Sequence, residues 1–522
     1  MIREISRRKC LRLWLCKPEY MERTKWENRF VRLRFRKKNY MMFLKDLKRY
    51  KMERLYDKLK AYSVSDFYAF HMPGHKRNKS LLGIELPYDL DITEIDGFDD
   101  LHHADGILKE EQERAARVFG AEESHFLVNG STAGILSAVM GCTRRGDKIL
   151  VARHCHKSIY HAIYMNGLVP RYVYPEFDIS MHMNGEISKE DVAKALEAEP
   201  DIKAVVIVSP NYDGVVSDVK GIAEVVHSYG IPLIVDEAHG PHFGFHPAFP
   251  ERANDLGADV VINSLHKTLP SLTQTAILHI NGKFANRRRI KKYLDMLQSS
   301  SPSYIFMASL DACVDFLDGK CEEAFELYVE RLQKFREELE PLQHLQILRT
   351  EHYDISKVVI STANANITSP ELADRLRKEY HLEMEMTGGT YALAMTTVAD
   401  TQEGLDRLKA ALLEIDGQLE AKTAVSGSTE ISGELPRLEQ YFTPQEAADR
   451  EEDGEAEEIP WKESEGHISL EYAYLYPPGS PVIVLGERIS REAVELLCYY
   501  ETQNLQIEGI QTEGKIKVWK HE

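Results

Sequence analysis

Lys267 lies in a segment whose residue types suit covalent chemistry with an aldehyde. The segment Ser264–Thr268 (SLHKT) directly follows the apolar run Asp259–Asn263, which predicts a buried strand. A lysine held at the end of such a strand can have a lowered pKa and form a Schiff base. On its own, the pattern fits a solvated loop lysine better.

Asp236 has the corresponding position after another predicted strand. It ends the run Pro232–Asp236 (PLIVD) and begins the segment Asp236–His239 (DEAH). An acid at a strand end serves either as a site residue or as a helix cap. The same four letters occur in helicases, but the sequence contains no GxxxxGK[S/T] motif. A nucleoside-triphosphatase would therefore lack its phosphate loop.

A third segment, Phe126–Gly134 (FLVNGSTAG), precedes the predicted helical run Ile135–Cys142. Small residues at a helix start let backbone N–H groups and the helix dipole face an anion. The hydroxyls of Ser131 and Thr132 add hydrogen-bond partners, so the segment could hold a phosphate. Many helices begin with Ser-Thr for capping alone, and this segment is weak support by itself.

Together, the three segments suit one ligand, pyridoxal phosphate. This cofactor needs an imine-forming lysine, a carboxylate for its pyridinium nitrogen and an anion site for its phosphate. Lys267 and Asp236 are 31 positions apart, which leaves room for one helix and one strand between two strand ends. The sequence therefore predicts a cofactor site built around these two residues.

Six short apolar runs alternate with helical segments around these residues. Continuous apolar strands between amphipathic helices predict a mostly parallel sheet covered on both faces, with functional groups at the carboxyl ends of its strands. The predicted strands are Lys148–Ala152, Arg171–Tyr174, Ala204–Ser209, Pro232–Asp236, Asp259–Asn263 and Thr275–His279. The predicted helices between them are Ser158–Asn166, Lys189–Ala198 and Val219–Tyr229.

The sequence divides into five predicted regions. Residues 1–54 form a basic extension, 55–300 a large cofactor-binding domain, 301–345 connecting helices, 346–423 a small α/β domain, and 424–522 a linker with a C-terminal domain. The small domain combines strands Lys357–Ser361 and Thr390–Met395 with helices Ser369–Tyr380 and Thr401–Asp416. The last region contains a solvent-facing acidic tract, Ala447–Glu458, and a turn or extended segment, Tyr476–Gly479.

The composition excludes several function classes. With 43% hydrophobic and 28% charged residues in 522, the chain is globular rather than disordered or fibrous. Its net charge of −18 argues against a nucleic-acid partner. The absence of any run of about 18 apolar residues argues against a membrane span. Seven cysteines without a CxxC pair predict buried thiols in a reducing cytoplasm.

The first 50 residues differ sharply from the rest in charge. They hold 17 basic and 5 acidic residues, a net of +12, so the other 472 carry −30. Such a head suits a nucleic-acid arm, a membrane-surface segment or a transit peptide. A second interpretation stays open, in which the head is not native and the protein starts near Met41, Met42 or Met52.

The motifs of the chain resemble those of one enzyme family. From about Leu55 onward, the sequence is similar to the shorter bacterial ornithine/lysine/arginine decarboxylases of the aspartate-aminotransferase fold. The matching segments are HMPGHK (71–76), DITE (91–94), DDLH (99–102), HCHKS (154–158), VDEAHG (235–240), SLHK (264–267), SPSYIFMASL (301–310) and YPPG (476–479).

The resemblance implies an α/β protein. It would have a fold-type-I large domain with a mostly parallel sheet, a small α/β domain and a C-terminal α+β domain. The implied reaction is α-decarboxylation of a small basic amino acid (arginine, lysine or ornithine) to its amine and carbon dioxide, with pyridoxal phosphate as cofactor. The implied assembly is a homodimer or larger homo-oligomer in the cytoplasm. The implied role is polyamine synthesis or acid resistance, and the short form of the chain favours biosynthesis.

The resemblance also implies roles for individual residues. Lys267 would form the imine, Asp236 would pair with the pyridinium nitrogen, and His156 would stack on the ring. Lys267 and His156 remain alternatives as proton donor to the substrate carbanion. The rest of the implied cofactor site is Ser131, Thr132, Ala133, Ala238, His239, Ser264 and His266.

The far end of a basic substrate is a cation, which predicts an acidic partner site. Glu94, Asp96, Asp99 and Asp100 form an acidic cluster, although a solvated, helix-capping loop explains each of them at least as well. Glu487 is a weaker candidate. A metal site at His239, His242 and His246 is disfavoured, because Pro241 and Gly244 break any helix that would align them.

Two other function classes remain open. A different pyridoxal-phosphate enzyme of this fold, such as an aminotransferase, would use the same lysine, aspartate and phosphate site. It usually needs an arginine for the substrate carboxylate, and Thr387–Thr397 contains none. A non-catalytic relative is the second alternative, against which the intact Lys267 and Asp236 argue.

Overall fold

The computed structural model describes residues 53–179, 183–422, 433–475, 479–502, 505 and 507–520. The basic head, most of the predicted linker and Tyr476–Pro478 of the predicted turn lie outside these ranges. Within the described ranges, no helix combines the length and the apolar character needed to cross a bilayer.

The large unit alternates helices with short strands. Its elements, in chain order, are α1 (Leu55–Ser63), α2 (Ile107–Val118), β1 (Glu123–Leu127), α3 (Gly130–Cys142), β2 (Lys148–Ala152), α4 (Lys157–Asn166), β3 (Val169–Val173), β4 (Phe177–Asp178), β5 (Met183–Asn184), α5 (Lys189–Ala198), β6 (Val205–Val208), α6 (Val219–Ser228), β7 (Leu233–Asp236), β8 (Val260–Asn263), α7 (Leu265–Thr268), β9 (Ala276–Ile280) and α8 (Arg287–Leu297).

A seven-stranded sheet forms the centre of this unit, in the order β1-β9-β8-β7-β6-β2-β3. The neighbouring pairs β8-β7, β7-β6, β6-β2 and β2-β3 are parallel, whereas β9 runs antiparallel to both β8 and β1. The central strands β7 and β8 are buried along their whole length, because helices cover both faces. The predicted α/β class with a mostly parallel sheet is confirmed.

Helix α3 packs unusually close to its neighbours through two glycines. A Cβ at Gly134 would lie 2.6 Å from Leu127 Cδ1, and one at Gly141 would lie 2.8 Å from the backbone of Ile290 in α8. Because the α3 sequence is apolar around its circumference, the helix suits burial between the sheet and α8. This packing fixes the helix N-terminus at the carboxyl edge of the sheet.

Two long helices lead to the small unit, where the elements are α9 (Tyr304–Leu317), α10 (Glu322–Glu338), β10 (Gln346–Ile347), β11 (Lys357–Ser361), α11 (Ser369–Tyr380), β12 (Met386–Thr387), β13 (Tyr391–Met395) and α12 (Gln402–Asp416). Helix α9 packs on α1 and α2, and α10 packs on α12. The four strands form an antiparallel sheet, β10-β11-β13-β12. Thr368 and Glu371 form a capping box that starts α11.

The C-terminal unit consists of β14 (Glu439–Gln440), α13 (Pro444–Glu452), β15 (Ala456–Pro460), β16 (Ala473–Leu475), β17 (Pro481–Ile483), β18 (Glu487–Arg488), α14 (Arg491–Thr502), β19 (Ile507–Glu508) and β20 (Lys515–Trp519). The acidic tract is helix α13 followed by β15, and Ala447 is its buried anchor. The five predicted region boundaries stay predictions.

Candidate active site

Asp236 and Lys267 meet because the strands that carry them are neighbours. Strand β7 ends at Asp236, and β8 leads into the short helix α7 that contains Lys267. The two strands pair in parallel, so their carboxyl ends open at the same edge of the sheet. Both residues line a cavity of about 800 Å³ at this edge.

Burial sets the ionisation of this pair. It lowers the pKa of the Lys267 amine, against the effect of the nearby Asp236 carboxylate. Burial raises the pKa of Asp236, against the charge of Lys267. Asp236 also accepts a hydrogen bond of 3.2 Å from the Ala238 backbone N–H. The lowered pKa of Lys267 favours the neutral, nucleophilic form of its amine.

The N-terminus of α3 forms another part of the cavity wall. Asn129, Gly130, Ser131 and Thr132 line the cavity, and Asn129 makes no side-chain capping bond. The Gly130 N–H donates to the Gln274 carbonyl oxygen at 3.0 Å, which leaves the next N–H groups of this 13-residue helix, those of Ser131 and Thr132, to face an anion. Gly130 has φ +72°, a left-handed conformation that glycine adopts without strain.

His266 and Ser264 flank the lysine on the same segment. His266 Nδ1 lies 2.9 Å from the Thr275 carbonyl oxygen, and its ring lines the cavity. Ser264 is fully buried, and its Oγ has no hydrogen-bond partner within the described structure. An orphaned hydroxyl at the start of a helix, beside a lysine, suits a ligand oxygen.

His156 approaches the same cavity from the start of α4. Its Nδ1 lies 2.8 Å from Ser158 Oγ, and the side chain caps the helix. Burial, with a smaller effect from Lys267, lowers the pKa of this imidazole to about 4. The ring is therefore neutral at physiological pH, and its flat shape suits packing on an aromatic cofactor.

The structure brings together most of the predicted cofactor residues. Ala133 and Ser264 are buried but do not line the cavity. The predicted residues on its wall are Ser131, Thr132, His156, Asp236, Ala238, His239, His266 and Lys267.

His239 lies between two lysines, one of which was not predicted. Its Nε2 is 2.7 Å from Lys267 Nζ, and its Nδ1 is 2.9 Å from Lys357 Nζ. Tyr212 covers the ring at a centroid distance of 4.5 Å. Lys357 begins β11 of the small unit, and nothing in its local sequence (KVVIS) indicates a site residue.

Two carboxylates on the cavity wall were also missed. Asp213 is buried, accepts a 2.5 Å hydrogen bond from Tyr391 Oη, and has its pKa raised by burial to about 6. Glu385 accepts a hydrogen bond from Tyr212 Oη. Both side chains come from loops whose sequences carry no motif, so only the tertiary packing identifies them.

Two residues of the predicted acidic cluster, Asp99 and Asp100, have a local role in this chain. The Asp99 carboxylate accepts hydrogen bonds from the backbone N–H groups of Gly106 (2.8 Å) and Leu108 (3.0 Å), at the start of α2. Asp100 accepts one from His102 N–H at 2.9 Å. None of Glu94, Asp96, Asp99 and Asp100 lines the cavity of a single chain, and their role toward a substrate stays a prediction.

The three histidines of the disfavoured metal site point to different partners. His239 contacts the two lysines, His242 Nε2 lies 3.1 Å from Asp354, and His246 Nε2 lies 3.1 Å from Glu326. In the described part of the chain, no three potential ligand side chains are grouped to hold a metal ion. Glu487 pairs with Arg153 at 3.0 Å and is not on the cavity wall.

The residues present fit pyridoxal phosphate. The cavity offers a nucleophilic amine, a desolvated carboxylate without a full set of partners, and an uncapped helix start for a phosphate. The Ser264 hydroxyl, three residues before Lys267, is buried and has no hydrogen-bond partner within the described structure.

Two family models match the chain. The model described as Orn/Lys/Arg decarboxylase, major domain, matches residues 53–413, and the corresponding C-terminal domain matches residues 430–514. An arginine decarboxylase of Bacillus subtilis is 33% identical over 471 residues, covering 87% of this chain and 95% of its own. A lysine decarboxylase of Pseudomonas aeruginosa is 24% identical, covering 83% of this chain and 73% of its own.

Solved structures support the same fold. The lysine decarboxylase of Francisella novicida has a TM-score of 0.78 at 20% identity, covering 92% of this chain and 84% of its own. The constitutive lysine decarboxylase of Escherichia coli has a TM-score of 0.75 at 20% identity, covering 97% and 88%. At this level of identity, the structural match concerns the fold alone.

Proposed function

The chain belongs to the Orn/Lys/Arg decarboxylase family and is an amino-acid decarboxylase; from this premise we propose that it converts arginine to its amine with bound pyridoxal phosphate. The observation that carries the proposal is the shared cavity of Lys267, Asp236 and the uncapped start of α3.

The residues of the cavity would hold the cofactor in a defined orientation. Lys267 would attach the cofactor through its aldehyde group, and Asp236 would keep its ring nitrogen protonated. Ser131, Thr132, Ser264 and His266 would hold the phosphate, and His156 would cover the ring. The bound cofactor supplies an electron sink for the electrons released when the Cα–carboxylate bond breaks.

The same residues control protons during the reaction. Burial keeps the imidazole of His156 neutral, so this ring is a weak acid at physiological pH. Lys267 is the residue that would attach the cofactor, and its lowered pKa would let its amine exchange protons near the substrate. We therefore favour Lys267 over His156 as the donor of the proton to Cα.

The cavity composition favours decarboxylation over transamination. Among its described lining residues there is no arginine, whereas an aminotransferase usually clamps the substrate carboxylate with one. A carboxylate that must leave as carbon dioxide is better placed away from such a cation.

Arginine is the proposed substrate for two reasons. The relatives that are 32–33% identical, at 91–95% coverage of their own length, are named arginine decarboxylases. In addition, Asp213 and Glu385 place two carboxyl groups on the wall of the cavity, where a guanidinium can form charge-assisted hydrogen bonds. Glu94, Asp96, Asp99 and Asp100 remain candidates to reach the site of a second subunit.

A homodimer is the proposed assembly. Segment 64–86 exposes Val64 (83%), Phe67 (68%), Tyr68 (70%), Phe70 (89%), Met72 (63%), Leu81 (75%) and Leu82 (62%). An apolar surface of this density is unusual on a monomer and fits a second copy of the chain. Substituting Phe67 and Phe70 by Ser should lower the molar mass measured by light scattering to that of a monomer. A monomeric wild type would contradict the dimer.

The proposed setting is polyamine biosynthesis in the cytoplasm. The described cysteines, at positions 142, 155, 313, 321 and 498, are free thiols, as a reducing compartment favours.

Product analysis tests the activity and the substrate together. The purified protein is incubated with pyridoxal phosphate and arginine, lysine or ornithine in separate reactions, and products are identified by mass spectrometry. We expect agmatine to form faster than cadaverine or putrescine. Glu385→Gln should raise the KM for arginine, whereas Glu330→Gln, an exposed position on α10, should not. A keto acid in place of an amine would favour the aminotransferase, and no product would contradict the proposal.

A further inference from the structure

Asn184 is a polar residue of the cavity wall that the proposals above do not use. It ends strand β5, and its side-chain oxygen Oδ1 is buried without a hydrogen-bond partner within the described structure. An amide oxygen that is withdrawn from water and receives no donor is costly to a folded protein. An N–H group of a bound ligand would remove this cost, which makes Asn184 a candidate for ligand recognition.

Two carboxylates share the position of Asn184 in the site. Asn184, Asp213 and Glu385 line the cavity of Lys267 and also line a neighbouring cavity of about 440 Å³. Side chains that belong to the walls of both cavities lie at the boundary between them. The amide oxygen and the two carboxylates are therefore grouped at one side of the cavity of Lys267.

Hydrogen bonds of Asn211 hold Asn184 beside the loop that carries Asp213. Asn211 Nδ2 donates to the Asn184 carbonyl oxygen at 2.8 Å. The Asn211 side-chain oxygen accepts hydrogen bonds from the backbone N–H groups of Gly214 and Val215, at 3.0 and 2.9 Å. One asparagine thus joins strand β5 to the loop between β6 and α6, which limits the movement of Asn184 relative to Asp213.

Two tyrosines orient the carboxylates. Tyr391 Oη donates to Asp213 Oδ1 at 2.5 Å, and Tyr212 Oη donates to Glu385 Oε1. Each hydroxyl engages one carboxylate oxygen, so Asp213 Oδ2 and Glu385 Oε2 remain for another donor. Together with Asn184 Oδ1, the boundary offers three acceptors from three segments of the chain.

The guanidinium of arginine suits these three acceptors better than the ammonium of lysine does. It is planar and spreads five N–H donors over three nitrogens, whereas an ammonium has its three donors on one atom. The lysine Nζ also takes the position of the guanidinium carbon along the side chain, one bond short of the terminal nitrogens of arginine. Acceptors that come from separate segments are therefore easier for a guanidinium to engage at the same time.

We propose that Asn184 is a specificity-determining residue, whose Oδ1 accepts a hydrogen bond from the guanidinium of arginine while Asp213 and Glu385 bind its charge. The carboxylates attract any cationic side chain, and the neutral amide oxygen adds the acceptor that a shorter ammonium does not reach. This proposal deepens the proposed function and rests on it, since it names a residue that selects arginine among the basic amino acids.

Steady-state kinetics of the enzyme loaded with pyridoxal phosphate test the role of Asn184. Asn184→Leu keeps the branched shape of the side chain but removes the acceptor, and we expect the KM for arginine to rise about tenfold with a smaller fall in kcat. Asn184→Asp keeps an oxygen in place and should have a lower KM for arginine than Asn184→Leu, which a merely structural amide would not explain. The control Asn364→Leu, at an exposed position outside both cavities, should match wild type.

Inhibition of the wild type by two amines covers the case in which Asn184→Leu fails to fold. Agmatine ends in a guanidinium and cadaverine in an ammonium, so we expect agmatine to have an inhibition constant about tenfold lower than that of cadaverine. Cadaverine that binds as tightly as agmatine would overturn the proposal.

The kinetics also separate this proposal from the proposed function. A wild type that forms agmatine, with an unchanged KM for arginine in Asn184→Leu, would leave the activity intact and remove only Asn184 from recognition. A wild type that forms no agmatine would overturn both.

Discussion

Arg153 and Glu487 form an ion pair of 3.0 Å in which both side chains are completely buried. Arg153 follows strand β2 of the large unit, and Glu487 begins β18 of the C-terminal unit. The Glu487 carboxylate also accepts a 2.7 Å hydrogen bond from the Val484 N–H. The pair therefore attaches the C-terminal unit directly behind the segment that carries His156.

Breaking this pair should destabilise the protein strongly. Glu487→Gln leaves the Arg153 guanidinium buried without its counter-charge, which typically costs about 3–5 kcal/mol. Denaturant unfolding followed by circular dichroism measures this cost. Replacing both partners with apolar residues, Arg153→Met with Glu487→Leu, should recover much of the loss. Equal stability of Glu487→Gln and wild type would show that the pair contributes little.

Lys267→Ala should abolish catalysis while preserving the fold. Without the amine, the protein cannot attach an aldehyde, and kcat should fall by at least about 10³-fold. The measurements are amine production and the visible absorption band of the bound cofactor. Lys283→Ala, at an exposed position outside the cavity, should retain both. Wild-type rates in Lys267→Ala would rule out its role.

Asp236→Asn should retain cofactor but lose most turnover. The amide preserves the shape of the side chain, yet it cannot hold a protonated ring nitrogen by charge. We expect kcat to fall by about 10²-fold or more, with cofactor content unchanged by absorbance. Asp201→Asn, an exposed position, provides the control. A variant that turns over normally would remove Asp236 from the electron-sink role.

Glu237 should make stability decrease as pH rises. Burial raises the pKa of Glu237 from 4.5 to about 8, although Asn263 and the Ala253 N–H donate hydrogen bonds to it. The folded state then holds a proton that the unfolded chain releases. The free energy of unfolding thus has its full contribution from Glu237 below about pH 4.5 and loses it as pH approaches 8.

Glu237→Gln isolates this contribution. The difference in unfolding free energy between wild type and variant should change by about 1.4 kcal/mol per pH unit between roughly pH 5 and 8. Denaturant melts at several pH values measure it. Glu330→Gln should run parallel to wild type, and a pH-independent difference for Glu237→Gln would show that this carboxyl is ionised in the folded protein.

Gly141→Ala should destabilise the packing of α3 on α8. The new Cβ would meet the Ile290 backbone at 2.8 Å, and overpacking of this kind costs about 1–3 kcal/mol. Gly404, near the start of α12, has nothing closer than 3.9 Å to such a Cβ. Gly404→Ala should therefore be neutral or stabilising. Thermal unfolding of both variants measures the difference in stability. A Gly404→Ala variant less stable than Gly141→Ala would contradict the close approach of α3 to α8.

The sequence predicted several strands and helices of the protein accurately. Strands Lys148–Ala152 and Lys357–Ser361 and helices Lys189–Ala198 and Ser369–Tyr380 have the predicted bounds, because their periodicity and caps are strong local signals. The family and the decarboxylase chemistry predicted from the motifs are confirmed by the family models.

Other features depend on distant parts of the chain. Strand β1 was not predicted. The apolar sequence of β9 also does not indicate that this strand runs antiparallel to its neighbours. Lys357 contacts His239, and Glu385 lines the cavity; both come from the small unit, 90 and 118 positions after Lys267. Their neighbours in sequence belong to an ordinary strand and loop, so no local pattern could assign them to the site.

The contacts around His156 have a consequence for how the site is completed during synthesis. The Lys157 N–H donates to the Gly479 carbonyl oxygen at 3.0 Å, and Ser480 Oγ donates to the His154 carbonyl oxygen at 2.7 Å. Together with the Arg153–Glu487 ion pair, these hydrogen bonds hold segment 153–157 through residues that lie more than 300 positions later in the sequence. Because chains emerge from the ribosome in order and early domains fold first, the sheet and Lys267 are in place well before these contacts can form. The nascent protein should therefore have no activity until residues 479–487 have left the exit tunnel.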